Sequence, residues 1–174
     1  TSLFTNNFHF DKKVKKISKI KDKLLINFAD NTNDLVDFVI VSDGVFSNTK
    51  SVVENKNFTP SYNGSIAIRT LLKSSSELDF DKNNISLVML KNAHIVIYPI
   101  NKKDELNVVC IIRQKLSTNV DLKMLIKKKI LSQNKNLENL FKNKLEYWPI
   151  YTTKKPSKSI YENLFYIGDA FYTF

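Results

Sequence analysis

The sequence predicts a mixed fold, α/β in character at its two ends and α+β between them. The runs DFVIV (37–41), continuously apolar over Phe38–Val41, and LFYI (164–167) look like strands covered on both faces of a parallel sheet. Between them, SIAIRTLL (65–72), ISLVML (85–90), HIVIYPI (94–100) and LNVVCIIR (106–113) are strand-like runs separated by polar turns such as DKNN and NKKDE, the pattern of a mostly antiparallel sheet. Parallel neighbours need crossover connections and covering helices, and 174 residues offer too few, so the sequence reads as an internal part of a larger protein.

The elements follow in order. VKKISKI (14–20) and KLLINFA (23–29) form a hairpin around Asp22, and ADNTND (29–34) is a turn. VDFVIVS (36–42) is one strand that ends at Asp43 and Gly44, and Ser47 caps a short helix running to about Asn55. Pro60 marks a boundary, after which the four central strands lead into a helical stretch over 120–145. WPIY (148–151) and LFYIG (164–168) return to strand character across the loop TTKKPSKS, and no further helix is read after Asp169. The domains expected are 1–57 and 148–174 as parts of one unit, with 58–147 inserted between them.

Composition limits the function classes. With 43% hydrophobic and 25% charged residues the profile is globular, and no run approaches the roughly 18 apolar residues of a membrane span. The chain reads as soluble, without a secretory leader, and as cytoplasmic, its lone Cys110 being a core thiol inside LNVVCII with neither a disulfide partner nor a metal set. The net charge of +10 invites a polyanion-binding reading. The lysines, however, are dispersed, and the densest cluster, KMLIKKKILSQNKN (123–136), alternates with apolar residues at helical spacing like a solvated helix face. A basic polyanion-binding module stays as the distant alternative, and no nucleic-acid partner is expected.

The chemistry sits at strand ends. Asp43-Gly44 and Gly168-Asp169 each follow an apolar strand, where open α/β sheets bind ligands beyond the strand tips. Glycine lets a ligand approach the backbone closely, and a carboxylate accepts hydrogen bonds from ribose or ribityl hydroxyls. Either pair alone is equally a turn. In HIVIYP, period-two alternation puts His94, Val96 and Tyr98 on one face and Ile95 and Ile97 on the other. That is either a half-buried strand with polar tips in solvent or a pair of polar groups facing a ligand. Arg69 is either one half of a surface ion pair or a carboxylate holder. Tyr147, Trp148 and Tyr151 read as core and sheet packing.

DFVIVSDGVFSNTK and LFYIGDAFY resemble the aspartate-glycine and glycine-aspartate signatures of the FAD-dependent aromatic hydroxylases, the single-component flavoprotein monooxygenases. GSIAIR (64–69) and HIVIYPINKKDELNVV (94–109) resemble substrate-domain strands of their salicylate-hydroxylase-like branch. The resemblance covers nearly the whole chain in order. It implies a partial Rossmann-like FAD-binding domain at both ends of the sequence and a substrate-binding domain between. FAD would be the cofactor, NAD(P)H the reductant, and a small aromatic molecule and O2 the substrates. Asp169 would bind the ribityl or ribose region of FAD, Gly168 and Ala170 would permit close approach, and Asp43 and Gly44 would serve the signature that touches FAD and the nicotinamide. His94 would act as the base on a phenolic hydroxyl, Tyr98 would orient the ring or donate to the same oxygen, and Arg69 would hold a substrate carboxylate. Lys50 stands where the family has arginine, and Phe171 and Tyr172 where it has alanine and histidine. The glycine-rich dinucleotide fingerprint lies outside the sequence, so these residues alone are expected to be inactive. A ubiquinone-pathway hydroxylase or an epoxidase is the nearer alternative.

Overall fold

The computed structural model describes residues 8–55, 58–73, 80, 83–100, 105–115 and 120–174. The predicted turns DKNN and NKKDE lie mostly outside the described residues. The chain divides into two compact units, one of residues 1–61 and 151–174, the other Tyr62–Ile150.

In the first unit, β1 (Val14–Ile20), β2 (Lys23–Phe28) and β3 (Asn33–Val36) form an antiparallel sheet in that order. β4 (Val39–Val41) pairs in parallel with β10 (Leu164–Tyr166), in the register Val39 to Leu164 and Val41 to Tyr166. The single strand expected over 36–42 is thus two. Its first part begins inside the expected turn ADNTND and pairs back onto β2, while the remainder pairs with β10. The break at Asp37 is pinned by Asn163, whose Nδ2 donates to the Asp37 carbonyl at 2.7 Å and to the Asp22 carbonyl at 3.1 Å. Parallel pairing matches the expectation from the apolar runs, but cover on both faces does not: Ile40 and Phe165 are 56% and 53% exposed. The inward side chains Val41, Leu164 and Tyr166 join Ile17, Leu24, Val53 and Ala170 in one buried cluster.

The helix α1 (Asn48–Glu54) starts as predicted, with the Ser47 hydroxyl accepting from the Lys50 amide at 3.1 Å, and ends at Asn55 in the left-handed region. After Asp169, where no helix was expected, residues Gly168–Phe171 form a single turn, α3.

The second unit is built on a five-stranded sheet with the order β6 (Ser86–Leu90), β7 (Ala93–Ile100), β8 (Glu105–Arg113), β5 (Ser61–Lys73) and β9 (Glu146–Thr152). The β6–β7, β7–β8 and β5–β8 pairs are antiparallel, as expected. One face carries Ile66, Ile68, Ile95, Ile97, Val108, Cys110 and Ile112, all nearly inaccessible, which pack with Ile126, Ile130, Leu137 and Leu140 of the helical segment. Each such buried aliphatic contributes about 1.5–3 kcal/mol, so this face anchors the unit. The expected continuous helix over 120–145 is broken into α2 (Leu122–Ile126), a widened π turn at Lys127–Leu131 and a tight 3-10 segment at Lys135–Phe141. The cause lies in SQN: the Ser132 hydroxyl donates to the Lys128 carbonyl and the Gln133 amide to the Lys129 carbonyl, at 2.7 and 2.6 Å, and Asn134 caps the next segment. These side chains take over backbone groups that a continuing helix would use.

Candidate functional site

The parallel pair sets the geometry of the two signatures. Val41 and Tyr166 are register partners, and the Ile167 amide still donates to the Val41 carbonyl at 3.0 Å. Asp43 and Gly168 each lie two residues beyond that partnership, so the Asp-Gly and Gly-Asp pairs emerge side by side at the carboxyl edge of adjacent strands. Gly44 and Gly168 have φ of +83° and +55°, and a Cβ added at either would meet nothing within 4 Å, so both backbones face open space. The Asp43 carboxylate Oδ2 accepts from the Thr49 amide at 3.1 Å in the first turn of α1, which fixes the carboxylate at the strand tip. Asp169 is exposed and, among the described residues, its carboxylate has no partner. Ala170 is fully buried in the hydrophobic cluster of this unit.

Lys50 is fully buried, and its Nζ has no hydrogen-bond partner among the described residues. It lies 4.2 Å from the Phe58 ring centroid and 6.0 Å from that of Tyr166. Burial lowers its affinity for a proton, and the charges of Asp43 and Glu54 oppose that shift. The Tyr166 hydroxyl is likewise buried without a partner, its pKa pushed up to about 12 by burial first and then by Glu54 and Asp43.

The second unit places His94, Tyr98 and Arg69 on one face of its sheet. Arg69 is opposite Val109 and Val109 opposite Val96, while His94 is opposite Ile111 and Tyr98 opposite Asn107. This is the face away from the buried aliphatic layer. His94 and Tyr98 are half-buried, and among the described residues neither side chain has a hydrogen-bond partner. They are four positions apart along the strand, roughly 13 Å between Cα atoms. Val96 lies between them on the same face. Arg69 stands two strands away, roughly 10 Å across the sheet, over a floor of Val96 and Val109. Among the described residues it forms no ion pair; instead its Nε donates to Asn107 Oδ1 at 2.5 Å.

Sequence reasoning missed Asn107, which is 1% exposed. The available signal was a single amide inside the apolar run LNVVCII, at the same strand parity as Val109 and Ile111. The packing role read for Tyr147 and Trp148 is corrected, since both are substantially exposed on β9; Tyr151 packs edge-on against Phe46 with centroids 5.0 Å apart. Cys110 is a core thiol, its pKa pushed up to about 12 by burial. No group of three or more potential metal ligands occurs among the described residues, and no helix there is long and apolar enough to cross a membrane.

Two strand-tip signatures on a parallel pair, with an antiparallel sheet inserted between them, form the architecture of the FAD-dependent monooxygenases. The fold is similar to that of Klebsiella pneumoniae HpxO complexed with FAD and uric acid, with a TM-score of 0.79 and 14% identity over 93% of this chain and 43% of that one. CtdE in complex with FAD and a substrate gives 0.74 and 16%, covering 94% and 45%. A salicylate hydroxylase substrate complex gives 0.73 and 16%, covering 92% and 46%. The chain spans less than half the length of each. The family model described as squalene epoxidase matches residues 36–172, and the chain belongs to that family. No curated sequence matches it.

Proposed function

We propose that this chain serves an FAD-dependent monooxygenase that hydroxylates a small aromatic or phenolic molecule with NAD(P)H and O2, residues 1–57 and 148–174 contributing to the cofactor side and 58–147 to the substrate side. The observation that carries the cofactor assignment is the adjacency of the two signatures: two glycine backbones open to space and two carboxylates at neighbouring strand tips. These residues fit FAD. Asp169 would accept from ribityl or ribose hydroxyls, Gly168 and Gly44 would let the dinucleotide lie close to the backbone, and Ala170 would keep the turn packed from below. Asp43 would hold its side of the crevice in place through Thr49. When bound, FAD reduced by NAD(P)H would activate O2, of which one atom goes to the ring and the other to water.

The chain's own residues do the rest. His94 would take the proton from a phenolic hydroxyl, raising the electron density of the ring. Tyr98 would orient the ring from the other end, Val96 and Val109 would form its apolar floor, and Arg69 would hold a ring carboxylate. A second reading, epoxidation of an apolar alkene, is favoured by the family match over residues 36–172. There the polar groups of the face would have no substrate partner.

The test is the visible absorbance of the purified protein, wild type against Asp169→Ala, followed by mass analysis of products from a phenolic and an alkene substrate. Flavin lost in the variant with its fold retained supports the cofactor role, and unchanged flavin content overturns it. Addition of one oxygen to the alkene alone would replace aromatic hydroxylation by epoxidation.

A further inference from the structure

We infer that Asn107 is a positioning residue that aims Arg69 at a ring-borne carboxylate, making the face selective for aromatic acids over their neutral analogues; this rests on the proposed aromatic substrate and names its class.

An arginine guanidinium offers two double-donor edges, one of Nε with an Nη and one of the two outer Nη groups. Asn107 Oδ1 occupies Nε at 2.5 Å, which fixes the plane of the group and leaves the outer pair of Nη donors for a bidentate fork onto a carboxylate. Asn107 is itself 1% exposed, so its amide is held by its surroundings and does not swing with solvent. An asparagine orients the arginine without neutralising it. An aspartate there would satisfy the same geometry and cancel the charge. Glu146, an acid that feels the Arg69 charge, is paired with Lys144 at 2.9 Å, and Arg69 has no carboxylate partner among the described residues. Register supplies the rest. Asn107 lies between Tyr98 and Leu71, so the orienting amide, the ring-facing tyrosine and the guanidinium share one face.

The test is calorimetric binding of salicylate and of salicylamide, which differ in the carboxylate alone, to wild type, Asn107→Leu and Asn107→Asp, with melting temperature as a folding check. Wild type is expected to favour salicylate. Asn107→Leu keeps the volume and removes the acceptor, and about a tenfold loss for salicylate with salicylamide unchanged is expected. Asn107→Asp keeps the hydrogen bond and should lose the preference by offsetting the charge, a result that a packing role alone would not produce. Equal binding of both probes by wild type, equal loss of both in the variants, or a preference kept in Asn107→Leu each overturns the inference. Flavin content, read separately, reports on the cofactor: discrimination without flavin sinks the oxygenase reading and leaves Asn107 its role, and flavin without discrimination does the reverse.

Discussion

The ammonium of Lys50 lies 4.2 Å from the ring of Phe58, sealed from solvent and without a hydrogen-bond acceptor among the described residues. Its contact with the aromatic face recovers part of the desolvation penalty, yet a buried cation normally requires paired partners as well. The family's arginine would present a fork at this position, whereas lysine presents a single point of charge.

Lys50→Met should therefore raise stability at neutral pH by about 1–3 kcal/mol in urea unfolding. The sign with pH follows from linkage. The folded-state pKa is depressed below 10.5, so between the two values the unfolded chain binds more protons and wild-type stability rises with pH. The advantage of methionine should be largest in acid and shrink toward pH 10. A less stable variant at every pH would show that the amine has a partner.

Alkaline unfolding should report two buried acids. Cys110 and Tyr166 hold their protons to about 12 in the folded state, against 9.0 and 10.0 as ordinary values. Above pH 9 the unfolded chain binds fewer protons, so stability falls, by up to about 1.4 kcal/mol per pH unit for each group. Cys110→Val should flatten the step between pH 9 and 10 and leave the later one. The comparison is best made with Lys50→Met in both chains, which removes the opposing slope. Identical alkaline limbs with and without the thiol would contradict its burial.

Substitution of His94 by alanine should keep flavin content and lower phenol hydroxylation by about 100- to 10,000-fold. Single-turnover mixing of the reduced, substrate-loaded protein with oxygen would read this directly. Turnover at the wild-type rate would remove the base role from His94 and leave Tyr98 as the polar contact.

Gly168→Ala introduces a Cβ where φ is +55° and nothing lies within 4 Å. The backbone penalty alone should cost about 1 kcal/mol of stability. If the open space above this turn holds the cofactor, flavin retention should fall by much more than that penalty explains. Loss of stability with unchanged flavin retention would place the ligand elsewhere.

Much of the fold was legible because periodicity reports burial directly. The alternation in HIVIYP correctly separated His94 and Tyr98 from Ile95 and Ile97, and the continuous runs 37–41 and 164–167 revealed a parallel pair. What was illegible depended on which neighbour a segment chooses. Nothing local shows that residues 33–36 pair backward while 39–41 pair with a partner far along the sequence, or that Ser132, Gln133 and Asn134 divert backbone carbonyls and break a helix. The strand-tip placement of the two candidate signatures was legible for the same reason, since strand tips are marked by Gly and Asp. Asn107 was not, because its meaning comes from Arg69 on a different strand, and the burial of Lys50 against Phe58 and Tyr166 was not readable from its place in the signature.

The pairing of β4 with β10 joins residues about 125 positions apart. During synthesis, the segment Tyr62–Ile150 is complete before the strand that closes the first unit has left the ribosome. The antiparallel sheet can collapse on local contacts while Val39–Val41 waits without its neighbour, exposing its hydrogen-bonding edge. The adjacency of the two signatures thus comes into existence last, and any nascent chain halted before Leu164 would display a nearly finished antiparallel sheet together with an unpaired, aggregation-prone strand.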